Sequence, residues 1–228
     1  MKVWKFDQKI SQYWLMIWAA IYILIVFIGI AFPSSDTLTI IKLLSVLLCS
    51  FYSIVAFRKD HLLHLAMIIT FVADCLLAGD NISMIGLMVF FMAQCVHLYR
   101  LLDPIKRKFA PYLLITGYLI VAVDLLLNII PPIYVICTFY AITLLLNLLI
   151  SRQRYKLHPQ SLYAFCGFWG FILFACCDLC TGISYFSLIE LFPAFLYMPA
   201  NVIAWVFYYP SQVLLSHSTT VQRNNVSK

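Results

Sequence analysis

Four ionisable side chains stand inside otherwise apolar stretches of this 228-residue chain: Lys42, Asp74, Asp124 and Asp178. An Asp or Lys at the centre of a membrane helix costs roughly 2.5 to 3.5 kcal/mol on insertion scales, so a chain that keeps several has a polar interior or a function that needs them. Buried carboxyls and an amine can act as general acid and base, carry protons through a transporter, or simply pair as a structural Lys and Asp bridge. Lys42 is the countercharge available to the carboxyls.

At about 1.5 Å rise per residue, Asp74, Asp124 and Asp178 come out about 20, 21 and 26 Å above the basic face of the bilayer, and Lys42 about 8 Å below the opposite face. All four therefore share one belt. Polar residues also recur at helical spacing, which stacks them on one side of each helix. Lys42, Ser45, Cys49 and Tyr52 form one such seam, and Phe90, Gln94 and His97 another. Gly117, Asp124 and Asn128 make a third, and Asn201, Trp205, Tyr208, Gln212 and Ser216 a fourth. Interhelical hydrogen bonds worth about 0.6 kcal/mol each are the plain account of such seams, but that account fits Asn, Ser and Gln better than carboxylates.

The elements that must position these groups follow from composition. The chain is 64% hydrophobic and 11% charged, with a mean hydropathy of +0.97, which no ordinary water-soluble domain matches. Low-charge runs bounded by Pro, Gly, Lys and Arg predict an all-α polytopic membrane protein, one domain over 1–228 with eight transmembrane helices. The spans fall near 14–32, 37–57, 61–79, 82–101, 109–130, 132–150, 160–182 and 197–216. The basic start followed by an apolar run resembles a signal peptide, but the run is too long and lacks a small-residue cleavage site, so it is read as a span. No stretch has the composition of a separate catalytic or DNA-binding domain, and no alternating ten-residue strands indicate an outer-membrane barrel.

The net charge of +6 points to topology and not to nucleic acid. Lys2, Lys5, Lys9, Arg58, Lys59, Arg100, Lys106, Arg107, Lys108, Arg152, Arg154, Lys156, Arg223 and Lys228 all fall on the side shared by both termini. Under the positive-inside rule both termini are cytoplasmic. An internal echo adds a candidate parallel four-plus-four repeat. Asp74 is followed by Phe90-Phe91-Met92-Ala93-Gln94, and Asp178 by Tyr208-Tyr209-Pro210-Ser211-Gln212. Because the spans carrying the two Asp run the same way, a pseudo-twofold axis along the membrane normal would bring Asp74 and Asp178 face to face. That favours this pair over Asp124, which is kept as an additional polar group.

At these residues the chain resembles the YhhN family of membrane proteins, the lysoplasmalogenases. The resemblance rests on Phe71-Val72-Ala73-Asp74-Cys75-Leu76-Leu77 with Phe90 to Tyr99, on Phe174 to Asp178, and on Tyr208-Tyr209-Pro210-Ser211-Gln212-Val213-Leu214-Leu215, with Lys42 at the family's Lys position. It implies eight spans, cytoplasmic termini, and hydrolysis of the vinyl ether of lysoplasmalogens to a fatty aldehyde and a glycerophospho-amine. It makes Asp74 and Asp178 catalytic, with no cofactor, a lysophospholipid substrate and membrane lipids as the surroundings. Lys42, Gln94, His97, Asn201, Tyr209 and Gln212 are the expected substrate contacts. Many relatives carry His-x-x-Tyr where this chain reads Gln94-Cys95-Val96-His97. Two carboxyls suit this chemistry, because vinyl ether hydrolysis, like glycoside hydrolysis, passes through an oxocarbenium ion and needs an acid and a base.

Other constellations carry less. Cys176-Cys177-Asp178-Leu179-Cys180 lacks the second ligand pair of a zinc site, so apolar packing accounts for it. His61 and His64 read as interfacial residues, and Gly167 and Gly170 as points of close helix approach. No nucleophile elbow, P-loop, dinucleotide fingerprint or metalloprotease motif is present. The alternative functions are a small-solute or proton-coupled carrier, which intramembrane Asp and Lys groups also suit, and a non-catalytic lipid-binding subunit.

Overall fold

A computed structural model describes residues 16–28, 31, 36–78 and 83–219. Lys2, Lys5, Lys9, Arg223, Lys228 and the outer ends of several expected spans lie outside the described residues. Among the described residues the chain is helical throughout, with no strand. Eight α-helices follow in order: α1 (Met16–Ile28), α2 (Asp36–Ala56), α3 (His61–Leu77), α4 (Met84–Leu101), α5 (Phe109–Leu127), α6 (Pro132–Leu157), α7 (Leu162–Leu188) and α8 (Tyr197–Ser216), with a short 3-10 turn, Ala194–Leu196, before the last. Five of them, α2, α4, α5, α6 and α7, are long and apolar enough to cross a membrane.

Local chemistry sets the helix ends. Asp60 accepts the Leu63 N–H at 3.1 Å to start α3, and Ser83 and Ser161 cap α4 and α7 in the same way. These side-chain oxygens satisfy amides that have no partner inside the helix. Pro132 opens α6 at a position where its missing N–H costs nothing. Asn128 ends α5 with φ 49°, in the left-handed region, and so closes the helix instead of continuing the polar seam expected through Asp124. Two helices outrun their expected spans: α6 continues past residue 150 to Leu157, and α7 past residue 182 to Leu188.

The helices pack as a closed ring in which α2 touches α3, α3 touches α4, α4 touches α6, α6 touches α7, α7 touches α8 and α8 returns to α2. Outside the ring, α5 lies against α4 and α6, its Tyr118 hydroxyl donating to the Met88 carbonyl at 2.8 Å. On the other flank α1 lies against α2 and α8: Trp18 meets Tyr52 and Tyr209, and Tyr22 stacks on Tyr209. The polarity is that of a protein whose solvent is lipid. Ile115, Leu119 and Leu126 are exposed, whereas Gln94, Arg100, Asn147 and Gln212 are buried.

The most extensive seam joins α7 to α8. A Cβ on Gly170 would lie 3.0 Å from the Leu215 side chain and 3.2 Å from its backbone nitrogen, whereas one on Gly182 would meet nothing within 4 Å. Gly170→Ala is therefore expected to destabilise by about 1 to 3 kcal/mol through overpacking, and Gly182→Ala to stabilise by about 0.5 to 1 kcal/mol through helix propensity. Thermal unfolding of the two variants in detergent should move in opposite directions.

Candidate active site

Asp74 sits on α3 and Asp178 on α7, and each carboxyl is held by a tyrosine from a neighbouring helix. Tyr208 on α8 donates its hydroxyl to Asp74 Oδ2 at 2.6 Å. Tyr140 on α6 donates to Asp178 Oδ2 at 2.5 Å. The two carboxyls are close enough to feel each other's charge, as are the two phenols, so four polar groups from four helices form one cluster. Both Asp residues are half-buried rather than sealed, and the cluster is walled by Phe90, Phe174 and Cys177. An acid held in place among apolar side chains, with part of its surface exposed, is suited to handing a proton to a hydrophobic substrate.

Lys42 is not the countercharge of either Asp. Its ammonium stands 4.3 Å from the centre of the Trp205 ring, and among the described residues no carboxylate lies within 4 Å of it. Trp205 in turn packs edge-on against Tyr208 at 5.0 Å. The order Lys42, Trp205, Tyr208, Asp74 thus places a cation beside the carboxyl cluster with a ring between them. Asn201, one turn before Trp205, is half-buried and makes no hydrogen bond among the described residues.

The remaining expected contacts divide. Gln94 is engaged by the protein: Asn147 Nδ2 donates to its side-chain oxygen at 2.9 Å and to its backbone oxygen at 3.0 Å. His97 is buried edge-on against Phe171, with Nδ1 3.3 Å from an Arg100 guanidinium nitrogen. Tyr209 and Gln212 are each 1% exposed, yet the Tyr209 hydroxyl and both amide atoms of Gln212 have no hydrogen-bond partner among the described residues. Buried polar groups are seldom left so. Asp124 serves the backbone instead, its Oδ1 accepting the Ile130 N–H at 3.0 Å across the turn after α5.

Sequence reasoning missed three groups. Tyr140 lies in a plain apolar run, and Tyr208 was placed on a seam without a role; a tyrosine deep in a membrane segment needs a partner for its hydroxyl, which was the signal available. Arg100, counted among the loop charges, is instead fully buried. It donates to the Ser218 carbonyl at 3.0 Å and hydroxyl at 2.9 Å and lies 3.9 Å from Asp60, which also accepts the Thr219 hydroxyl at 2.8 Å. This clasp gathers the α2–α3 turn, the end of α4 and the residues after α8 at one end of the bundle. Among the described residues no three His, Cys, Asp or Glu side chains converge as a metal site would require.

The model of the YhhN family matches residues 35–219. The chain belongs to the YhhN family. The match covers every helix of the closed ring, and with it Lys42, Asp74, Tyr140, Asp178 and Tyr208. Neither a curated protein nor a solved structure matches this YhhN chain.

The geometry separates Asp124 from the cluster by role. Asp124→Ala should lower stability by about 0.5 to 1.5 kcal/mol, the net worth of the lost hydrogen bond, while Asp124→Asn, which keeps an acceptor oxygen, should lower it less. Thermal unfolding in detergent measures both, and equal stability of Asp124→Ala and the parent would remove the turn-capping role.

Proposed function

We propose that this YhhN protein is a membrane-embedded hydrolase that cleaves the vinyl ether of lysoplasmalogen-type ether lipids, releasing a fatty aldehyde and a glycerophospho-amine. The observation that carries the reading is the pair of mutually interacting carboxyls, each oriented by a tyrosine hydroxyl, within an apolar bundle. Family membership supports it.

Vinyl ether hydrolysis begins when an acid delivers a proton to the distal alkene carbon. The positive charge that forms is shared between the other alkene carbon and the ether oxygen. Water then adds to that carbon while a base takes up a water proton; the hemiacetal collapses as its hydroxyl proton passes to a carboxylate, the aldehyde double bond forms, and the glycerol oxygen departs with the proton that the other carboxyl returns. Asp74 and Asp178 supply the acid and the base. In this reading one carboxyl carries the proton that the acid delivers, and the other accepts the proton that water gives up. The hydroxyls of Tyr140 and Tyr208 fix the direction of each carboxyl. Lys42, with no carboxylate beside it among the described residues, receives the substrate's phosphate, and Trp205 backs its ammonium.

The membrane arrangement in this reading is eight crossings with both termini cytoplasmic. The basic residues support it: Arg100, Arg107 and Arg154 belong to the same end of the bundle as Asp60 and Ser218. The neighbour relations support a parallel four-plus-four repeat. Replacing each of α1 to α4 by its counterpart in α5 to α8 turns the α2–α3, α3–α4 and α4–α6 contacts into α6–α7, α7–α8 and α8–α2, all of which occur. The peripheral helices α1 and α5 exchange in the same way.

Detergent-purified protein should release aldehyde from lysoplasmalogen but not from its ester or alkyl-ether analogues. Asp74→Asn and Asp178→Asn should each lower that release by roughly 10² to 10⁴-fold, and Tyr140→Phe and Tyr208→Phe by about ten- to a hundredfold through lost charge-assisted hydrogen bonds. Lys42→Met should raise KM more than it lowers kcat. Full turnover by either Asn variant would end the assignment of the pair, and solute uptake by proteoliposomes without any aldehyde release would favour a carrier.

A further inference from the structure

Tyr209 and Gln212 present three buried polar atoms without a protein partner among the described residues. They lie three residues apart, on adjacent turns of α8. At about 100° per residue, Trp205, Tyr208, Tyr209 and Gln212 fall within about 100° of one another around the helix, so the unpartnered groups share the face that carries the partner of Asp74. Side chains on a helix lean toward its N-terminus, which sets the Gln212 carboxamide alongside the Tyr208 ring. From the other side, Cys49 on α2 packs into the core cluster that holds Tyr208 and Tyr209. Tyr209 thus belongs to the same core cluster as Tyr208, the partner of Asp74, and Gln212 lies on the same face of α8.

The matched positions of the first half sharpen the point. Gln94, in the place that Gln212 takes in the echo, has its side-chain oxygen filled by Asn147, and Phe91, in the place of Tyr209, has no hydroxyl. At these matched positions the unmet hydrogen-bonding capacity lies in the second half. A buried amide and hydroxyl on adjacent turns, with no partner among the described residues, suit a small polar ligand with several hydrogen bonds to make, and water needs two to four such partners.

We propose that Tyr209 and Gln212 hold the water molecule that captures the oxocarbenium ion. The role rests on the vinyl ether reading above. The Tyr209 hydroxyl donates to the water oxygen, and the water donates one hydrogen to Gln212 Oε1. Its second hydrogen passes to the carboxylate base, and a lone pair of its oxygen forms the bond to the cationic carbon. Both residues are positioning residues: they act on the water and not on the proton that starts the reaction.

Full-length protein is incubated with lysoplasmalogen in D₂O, and mass spectrometry follows both aldehyde release and deuterium at the distal vinyl carbon of the unreacted substrate. In the parent protein capture by water outruns return of the ion to alkene, and recovered substrate stays unlabelled. In Gln212→Leu and Tyr209→Phe capture slows, so the ion loses a proton from the same carbon and returns to substrate. Recovered substrate then gains deuterium while kcat falls roughly tenfold or more. Tyr209→Phe keeps the ring that stacks on Tyr22, so it reports even where Gln212→Leu fails to fold. Unchanged turnover in Tyr209→Phe, lost turnover with no label in its recovered substrate, or equal label with the parent protein overturns the inference. Absence of aldehyde from the parent protein overturns the hydrolase reading itself, which the unsubstituted control shows separately.

Discussion

A carboxyl inside a bundle of apolar helices has to find its hydrogen bonds within the bundle, because the lipid around it offers none. Asp74 and Asp178 meet that requirement with phenols from other helices, and the requirement reaches well beyond the two residues. The Tyr208 bond ties α8 to α3, two helices that are not successive in the ring. The Tyr140 bond ties α6 to α7. A shift of either helix by one residue along its axis, about 1.5 Å, would leave a carboxyl and a hydroxyl within the bundle unmet at once. The register of the ring and the geometry of the site are thus one constraint.

The same logic orders the polar groups at the end of the bundle. Arg100 can be fully buried because Ser218, Asp60 and His97 surround its guanidinium, and a rigid fork of donors holds several acceptors with little loss of side-chain freedom. The clasp fixes where α8 ends relative to the start of α3 and the end of α4. It thereby anchors, from about three turns away along α8, the helix that carries Tyr208, Tyr209 and Gln212. Lys42 is treated differently. It has an aromatic face in place of a carboxylate, an arrangement that leaves its charge available.

Helix number and order were legible in the sequence because apolar runs and basic punctuation are strong signals in a membrane chain. Helix ends were less so. Ser151–Leu157 extends α6 well past its apolar run because Arg152, Arg154 and Lys156 are good helix formers once outside the hydrocarbon. Spacing singled out Asp74 and Asp178, since an uncompensated carboxylate is expensive wherever it sits. It could not find Tyr140, whose hydroxyl differs from the surrounding packing only through a partner 38 residues away. Lys42 misled as a countercharge because proximity in depth is not proximity in space. Gln94 and Gln212 look alike along the chain, and only the presence of Asn147 beside one of them tells the two apart.

That last contrast bears on how a two-part bundle acquires a one-sided site. If the halves descend from a common arrangement, each would begin with an Asp on its third helix and an aromatic pair followed by Gln on its fourth. The second half keeps hydroxyls on both rings, Tyr208 and Tyr209, and leaves its Gln unfilled. The first half has Phe90 and Phe91 there, and its Gln is closed by Asn147. Without a hydroxyl at Phe90, Asp178 takes its hydrogen bond from Tyr140, whose ring packs against Phe90 at 5.8 Å. The two carboxyls therefore have the same kind of partner in unequal settings: Tyr208 stands on the helix that also carries the unmet groups of Tyr209 and Gln212, and Tyr140 packs against the Phe90 ring. The acid and base of the proposed hydrolysis require such an inequality, because identical environments would give both carboxyls the same affinity for the proton.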